Sequence, residues 1–168
     1  MFAGLYQLTG AYNLVLPTIT SNFTYPSYGS LFEGCDHLIV GPKLITCNAE
    51  NGLPPNCIKR IFYGCTSLQY IGADWNAWSD DRGDNDNGTS EWVGDYYNGQ
   101  DVPQQGTFVR TLNVPFEKND PNYTEDVDKI PYNWTVVDLV NGVYYLDDGT
   151  GTPTNTVVTI NSDGTINQ

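Results

Sequence analysis

A short segment recurs three times at a spacing of thirty residues: Met1-Phe-Ala-Gly-Leu5, Leu31-Phe-Glu-Gly-Cys35 and Ile61-Phe-Tyr-Gly-Cys65. Each copy runs on to a leucine at the same offset, Leu8, Leu38 and Leu68. Self-similarity at a fixed period constrains a chain strongly, because each unit must cover the apolar face of its neighbour. The expectation is a stacked solenoid with Phe and Leu ladders inside and short parallel strands at Leu38-Ile39-Val40 and Leu68-Gln69-Tyr70-Ile71. Pro26 to Leu31 and Pro55 to Ile61 are predicted to form short helical turns with proline near the start. Glycine at one repeat offset (Gly4, Gly34, Gly64) predicts positive φ or close backbone approach.

The charge balance narrows the partners. Seven basic residues stand against 20 acidic ones, a net charge of −13 over 168 residues. Nucleic acid and an anionic membrane surface are disfavoured, since phosphate binding needs a concentrated basic surface. Only 16% of residues are charged, while Asn, Thr, Gly and Tyr are plentiful, as on the surfaces of proteins that work outside cells. No apolar stretch is long enough for a signal peptide or a membrane span, so no membrane insertion is expected. The first repeat also lacks the lead-in turn of the later two, which predicts that a partner chain or a further upstream portion covers this end.

Three regions follow from these patterns. Residues 1–76 form the repeat block, 77–105 an acidic, Trp-containing loop or cap, and 106–168 a C-terminal β-rich capping or docking unit. Strands are predicted over Thr107 to Leu112, Trp134 to Leu139, Val143 to Leu146 and Thr156 to Ile160, with turns at Asp148-Gly149 and Asp163-Gly164. The fold class expected is α/β to mainly β: a leucine-rich repeat solenoid of three 30-residue repeats, parallel strands with short helical turns, then a small antiparallel β unit.

The stretch Cys57-Ile-Lys-Arg-Ile-Phe-Tyr-Gly-Cys-Thr-Ser-Leu68 resembles the Cys-Tyr-x-x-Met-Phe-x-Gly-Cys-Thr-Ser-Leu repeat of BspA-type leucine-rich repeat proteins of gut bacteria and their phages. Gly106-Thr-Phe-Val-Arg110 and Ile130-Pro-Tyr-Asn-Trp-Thr-Val136 resemble the segment that closes such repeats. The resemblance covers residues 1–76 and 106–138, with Leu5 and Ser27 standing where the pattern has cysteine. It implies a β-lined solenoid used in adhesion or assembly, and no catalytic residues.

Several smaller constellations are candidate sites. Asp84, Asp86 and Asp95 are spaced so that alternate carboxylates can converge on a hard cation, which makes calcium the one candidate cofactor beside a solvated acidic loop. Trp75, Trp78 and Trp92 are candidate ligand-binding platforms for a sugar face, or else loop anchors. Arg82-Gly83-Asp84 is an integrin-type tripeptide, too short to be specific. Asn22, Asn87, Asn122 and Asn133 lie in Asn-x-Ser/Thr sequons, which matter only in a eukaryotic secretory setting. Cys35 and Cys65 share a repeat position and read as small buried side chains, while a Cys47–Cys57 bridge stays open as an alternative.

An enzyme is not expected. Asp80 and Glu91 could pair for glycoside hydrolysis, but an acidic loop gives no sign of two carboxylates held apart with unequal pKa values. The chain has one histidine, His37, and no nucleophile motif or phosphate loop. The expected function is noncatalytic, structural or adhesive, through contacts with other subunits, a receptor or a glycan, with a homo-oligomer among the expected states. The leading setting is a phage virion surface or fibre; the alternatives are a bacterial cell-surface or secreted adhesin and a carbohydrate-binding module.

Overall fold

The structure, a computed structural model, describes residues 2–22, 27–49, 52–75, 89, 91–95, 99, 100, 102–111, 118, 129–148 and 153–168. Its strands are β1 (Ile45–Thr46), β2 (Tyr70–Asp74), β3 (Gly94–Asp95), β4 (Gly99–Gln100), β5 (Thr107–Thr111), β6 (Thr135–Val140), β7 (Val143–Asp147), β8 (Pro153–Ile160) and β9 (Ile166–Asn167). Seven of them form one sheet in the order β1-β2-β5-β6-β7-β8-β9, and β3 pairs with β4 alone. The pairings from β1 to β6 are parallel, and those from β6 to β9 antiparallel.

This corrects the expected fold class. No α-helix occurs among the described residues, and the architecture is all-β around a mixed sheet, not an α/β leucine-rich repeat solenoid with helical turns. The reason is local. Ser30 (φ 57°) and Arg60 (φ 56°) are left-handed, and Gly34 and Gly64 (φ 72° each) are left-handed four residues later. A right-handed helix cannot run through such positions. The segments close instead as single turns, Leu31 N–H to Tyr28 O (3.2 Å), Cys35 N–H to Phe32 O (3.0 Å) and Leu38 N–H to Cys35 O (3.0 Å). β5 and β6 extend the parallel part of the sheet, and antiparallel pairing starts at β7.

The thirty-residue spacing reappears as contact between copies. Phe2 stacks on Phe32 (5.6 Å, 7°), Phe32 on Phe62 (5.7 Å, 6°), and Trp92 continues the column beyond Phe62 (6.5 Å). Isolated bridges carry the pairing outward from the sheet, Gly10 to Val40, Val40 to Tyr70 and Ile19 to Cys47. Gly4, Gly34 and Gly64 all have positive φ (71°, 72° and 72°), and a Cβ on Gly64 would lie 3.3 Å from Gly34 Cα. Both physical expectations for that glycine are met.

Two cores form on the two faces. One holds Phe32, Phe62, Trp92, Phe108 and Val136; the other holds Val40, Tyr70, Val109, Val137 and Val158. The second is closed by the chain's own C-terminal hairpins. Tyr144 Oη lies 3.3 Å from Tyr12 Oη, and Thr107 Oγ1 donates to Gly164 O at 2.8 Å. Asn141 and Gly142 (φ 51° and 84°) make the tight turn between β6 and β7, the double left-handed conformation that an Asn-Gly pair favours.

Candidate functional site

Successive repeats are joined edge to edge by backbone hydrogen bonds. Phe2 N–H donates to Leu31 O (3.0 Å), Phe32 N–H to Ile61 O (3.0 Å) and Phe62 N–H to Trp92 O (2.9 Å). Gly4 N–H donates to Glu33 O and Gly34 N–H to Tyr63 O, both at 2.8 Å. In the other direction Ile39 N–H donates to Thr9 O (2.9 Å) and Gln69 N–H to Ile39 O (2.7 Å). Buried thiols add a third kind of link, Cys35 Sγ to Phe2 O (3.0 Å) and Cys65 Sγ to Phe32 O (3.1 Å).

By the same offsets the outer side of the first repeat presents Ala3 and Gly10 carbonyls and the Thr9 N–H. All three residues are exposed, and none of these groups has a backbone partner among the described residues. Side chains reinforce the opening. Of the six exposed large hydrophobic residues among those described, three lie here: Leu5 (48%), Tyr6 (62%) and Val15 (88%). Leu5 occupies the offset that Cys35 and Cys65 fill at 0% exposure.

Charge singles out the same edge. All 27 charged residues lie at or beyond Glu33, so residues 1–32 carry no acidic or basic side chain in a chain of net charge −13. Of the residues that commonly blunt an exposed sheet edge, Lys and Glu are absent from this run, while Pro17 is present and exposed. The signal was present in the sequence as a run without charge, which periodicity alone does not weigh.

The expected ligand residues lie elsewhere. Trp75 and Trp92 are 2% and 0% exposed, in contact with each other (6.2 Å), and Trp92 also meets Phe62 and Phe108. A ring that stacks on a sugar needs an open face, and these two rings are core instead. Trp78, Asp84 and Asp86 lie outside the described residues, as do Asp80, Arg82 and Gly83; Asp95 sits in β3 with its side chain outside them. Among the described residues no group of three His, Cys, Asp or Glu side chains is arranged to hold a metal ion. Glu91 receives a two-pronged contact from Arg60 (3.0 and 3.2 Å) with Lys59 at 4.0 Å, which makes it an ionic clamp between repeats.

All four cysteines are free and buried. Burial pushes the Cys57 thiol up to about 12, with nearby Cys47 adding to the shift, and burial raises Cys35 and Cys47 as well. They are packing groups and thiol donors, not nucleophiles.

Arg110 forms an ion pair network that sequence reasoning did not anticipate. Its Nε donates to Asp138 (2.8 Å) and its Nη2 to Asp147 (2.7 Å), with side-chain exposures of 5%, 0% and 1%. Burial pushes the Asp138 carboxyl above the ordinary range, against the opposing pull of Arg110. The Asp138 carboxylate is fully buried. Of two open depressions, of 690 and 670 Å³, the larger is lined by Lys118, Asp147 and Asp148 beside Tyr132 and Asn133, and in it Lys118 Nζ donates to Trp134 O (2.7 Å).

No protein-family model, curated protein or solved structure matches the chain.

Proposed function

We propose that this is a noncatalytic structural or adhesive protein that works through protein–protein contact. The observation that carries the reading is that three exposed apolar side chains, Leu5, Tyr6 and Val15, lie within a run of 32 residues without charge in a chain of net charge −13. Exposed apolar side chains gathered on an uncharged surface suit contact with another protein. The resemblance of residues 57–68 to repeats of gut bacteria and their phages favours a virion surface or fibre as the setting. A glycan-binding role loses support because Trp75 and Trp92 are core residues.

The test is site-specific photocrosslinking in the assembly or cell that contains the protein. A crosslinking residue at Val15 (88% exposed) is expected to yield a protein adduct, and one at Val157 (53% exposed) is not. Adducts from Val157 with none from Val15 would overturn the reading.

A further inference from the structure

We propose that the leading ends of β2, β5 and β6 carry a binding site for an extended, neutral oligosaccharide. This goes beyond the protein-contact reading and does not rest on it.

The parallel register sets Tyr70, Thr107 and Thr135 side by side, so the residues that lead into the three strands come together as well. The two open depressions, of 690 and 670 Å³, meet at the start of β6. Each falls within the range of about 300–1,000 Å³ typical of small-ligand sites. Asn133 and Thr135 line both. The hollows therefore share a wall, and a chain-like ligand can occupy the two at once.

Their lining selects the ligand class. In the smaller hollow Gln69, Gln105 and Thr165 join the shared pair, all neutral side chains that both donate and accept hydrogen bonds. The larger adds Tyr132, 49% exposed, and the carboxylates of Asp147 and Asp148. Those carboxylates, in a chain of net charge −13, repel an anion. Lys118 offsets this little, because its Nζ donates to Trp134 O at 2.7 Å. That ammonium in turn opposes a metal ion, and no group of three metal-ligating side chains occurs among the described residues. An apolar ligand would leave the amides and hydroxyls without partners. A sugar chain satisfies both kinds of lining: its hydroxyls meet the amides and carboxylates, and a flat ring face meets Tyr132.

The walls are fixed in advance. Asp147, its side chain 1% exposed, is held by Arg110 Nη2 at 2.7 Å. Thr107 Oγ1 donates to Gly164 O at 2.8 Å, which holds the turn carrying Thr165 against the start of β5. Trp134, between Asn133 and Thr135, is buried and donates from Nε1 to Pro103 O at 2.7 Å. Its ring lies so close over Gly106 that a Cβ there would come within 2.6 Å. Groups held this way lose little freedom when a ligand binds. The ring open to a sugar is thus Tyr132, since Trp75 and Trp92 are core.

The experiment is a screen of the purified chain on an array of neutral oligosaccharides, with uronic-acid and sulfated glycans beside them. Calorimetry then compares the best binder with its own disaccharide. Binding is expected to neutral glycans only, tighter for the longer chain, and unchanged by salt because no charge pair is there to screen. Tyr132→Ala should weaken both lengths roughly tenfold, the loss of one stacked ring. Gln105→Ala should weaken the longer chain alone. Both residues are exposed, and native melting of the two variants is confirmed first. Binding of no neutral glycan, binding of acidic glycans only, or affinity untouched by Tyr132→Ala would overturn the site. Equal affinity for the two lengths would overturn its extended form. Crosslinking from Val15 should be unchanged in Tyr132→Ala, so the glycan site and the protein contact can each fail alone.

Discussion

The rings of Phe32 and Phe62 lie 5.7 Å apart and within 6° of parallel, one repeat above the other. Both are fully buried. Truncation of Phe32 to alanine should cost about 3–5 kcal/mol, the range for removing a buried aromatic ring. The same change at half-buried Phe2 should cost clearly less, because less of that ring is removed from water. Urea unfolding of the two variants checks this; equal losses would mean that burial does not set the difference.

Thiol chemistry gives a second prediction. With every cysteine buried and the Cys57 thiol pushed up to about 12, the folded protein should react with none of its four thiols at neutral pH. All four should titrate once it is unfolded, and reducing agent should leave the melting temperature unchanged. A downward shift in melting temperature with reductant would reveal a Cys47–Cys57 bridge.

A third concerns the buried ion pair network. Asp138 has a raised carboxyl pKa in the folded state, chiefly through burial, so between its ordinary value of 3.8 and its folded value the native state holds more protons than the unfolded one. Its contribution to stability is therefore fully present below 3.8 and is lost as pH rises through the folded value. Thermal melts of the wild type and Asp138→Asn across that window should show the wild type losing ground to the variant as pH rises. The opposite slope would mean that the pairing with Arg110 outweighs burial.

Gly164 allows packing to be separated from backbone strain. A Cβ there would lie 2.7 Å from Tyr70 Cβ at φ 82°, whereas Gly142 has φ 84° with nothing within 4 Å. Gly142→Ala should cost roughly 1–3 kcal/mol through strain alone. Gly164→Ala should cost more, since the C-terminal turn must lift off the sheet, and melting temperatures of the two variants measure the difference.

What was legible in the sequence was the period. Phe at residues 2, 32 and 62 and glycine two positions later fix which residues stack, and the structure stacks them. The lack of helical turns was not legible, because left-handed backbone at Ser30 and Arg60 is carried by residues that give no conformational signal. The parallel docking of β5 on β2 is hidden for another reason: Tyr70 pairs with Thr107 at a spacing that leaves the thirty-residue rhythm. Arg110 and Asp138 read as solvated residues in polar strands, and only the register that places them directly opposite makes them a buried pair. The Asn141-Gly142 turn was not among the turns expected, although that dipeptide favours the conformation found. For the candidate site, the charge-free run was visible, but its place at an open edge depends on tertiary pairing.

Hydrogen exchange at equivalent amides tests most directly the central claim that repeats thirty residues apart pair with one another. Ile39 N–H is bonded to Thr9 O and Gln69 N–H to Ile39 O. Both should be protected in the wild type, and Phe32→Ala, which removes the ring stacked between Phe2 and Phe62, should speed exchange at both. Exchange of both amides in the wild type at the rate of an unfolded chain would contradict the account.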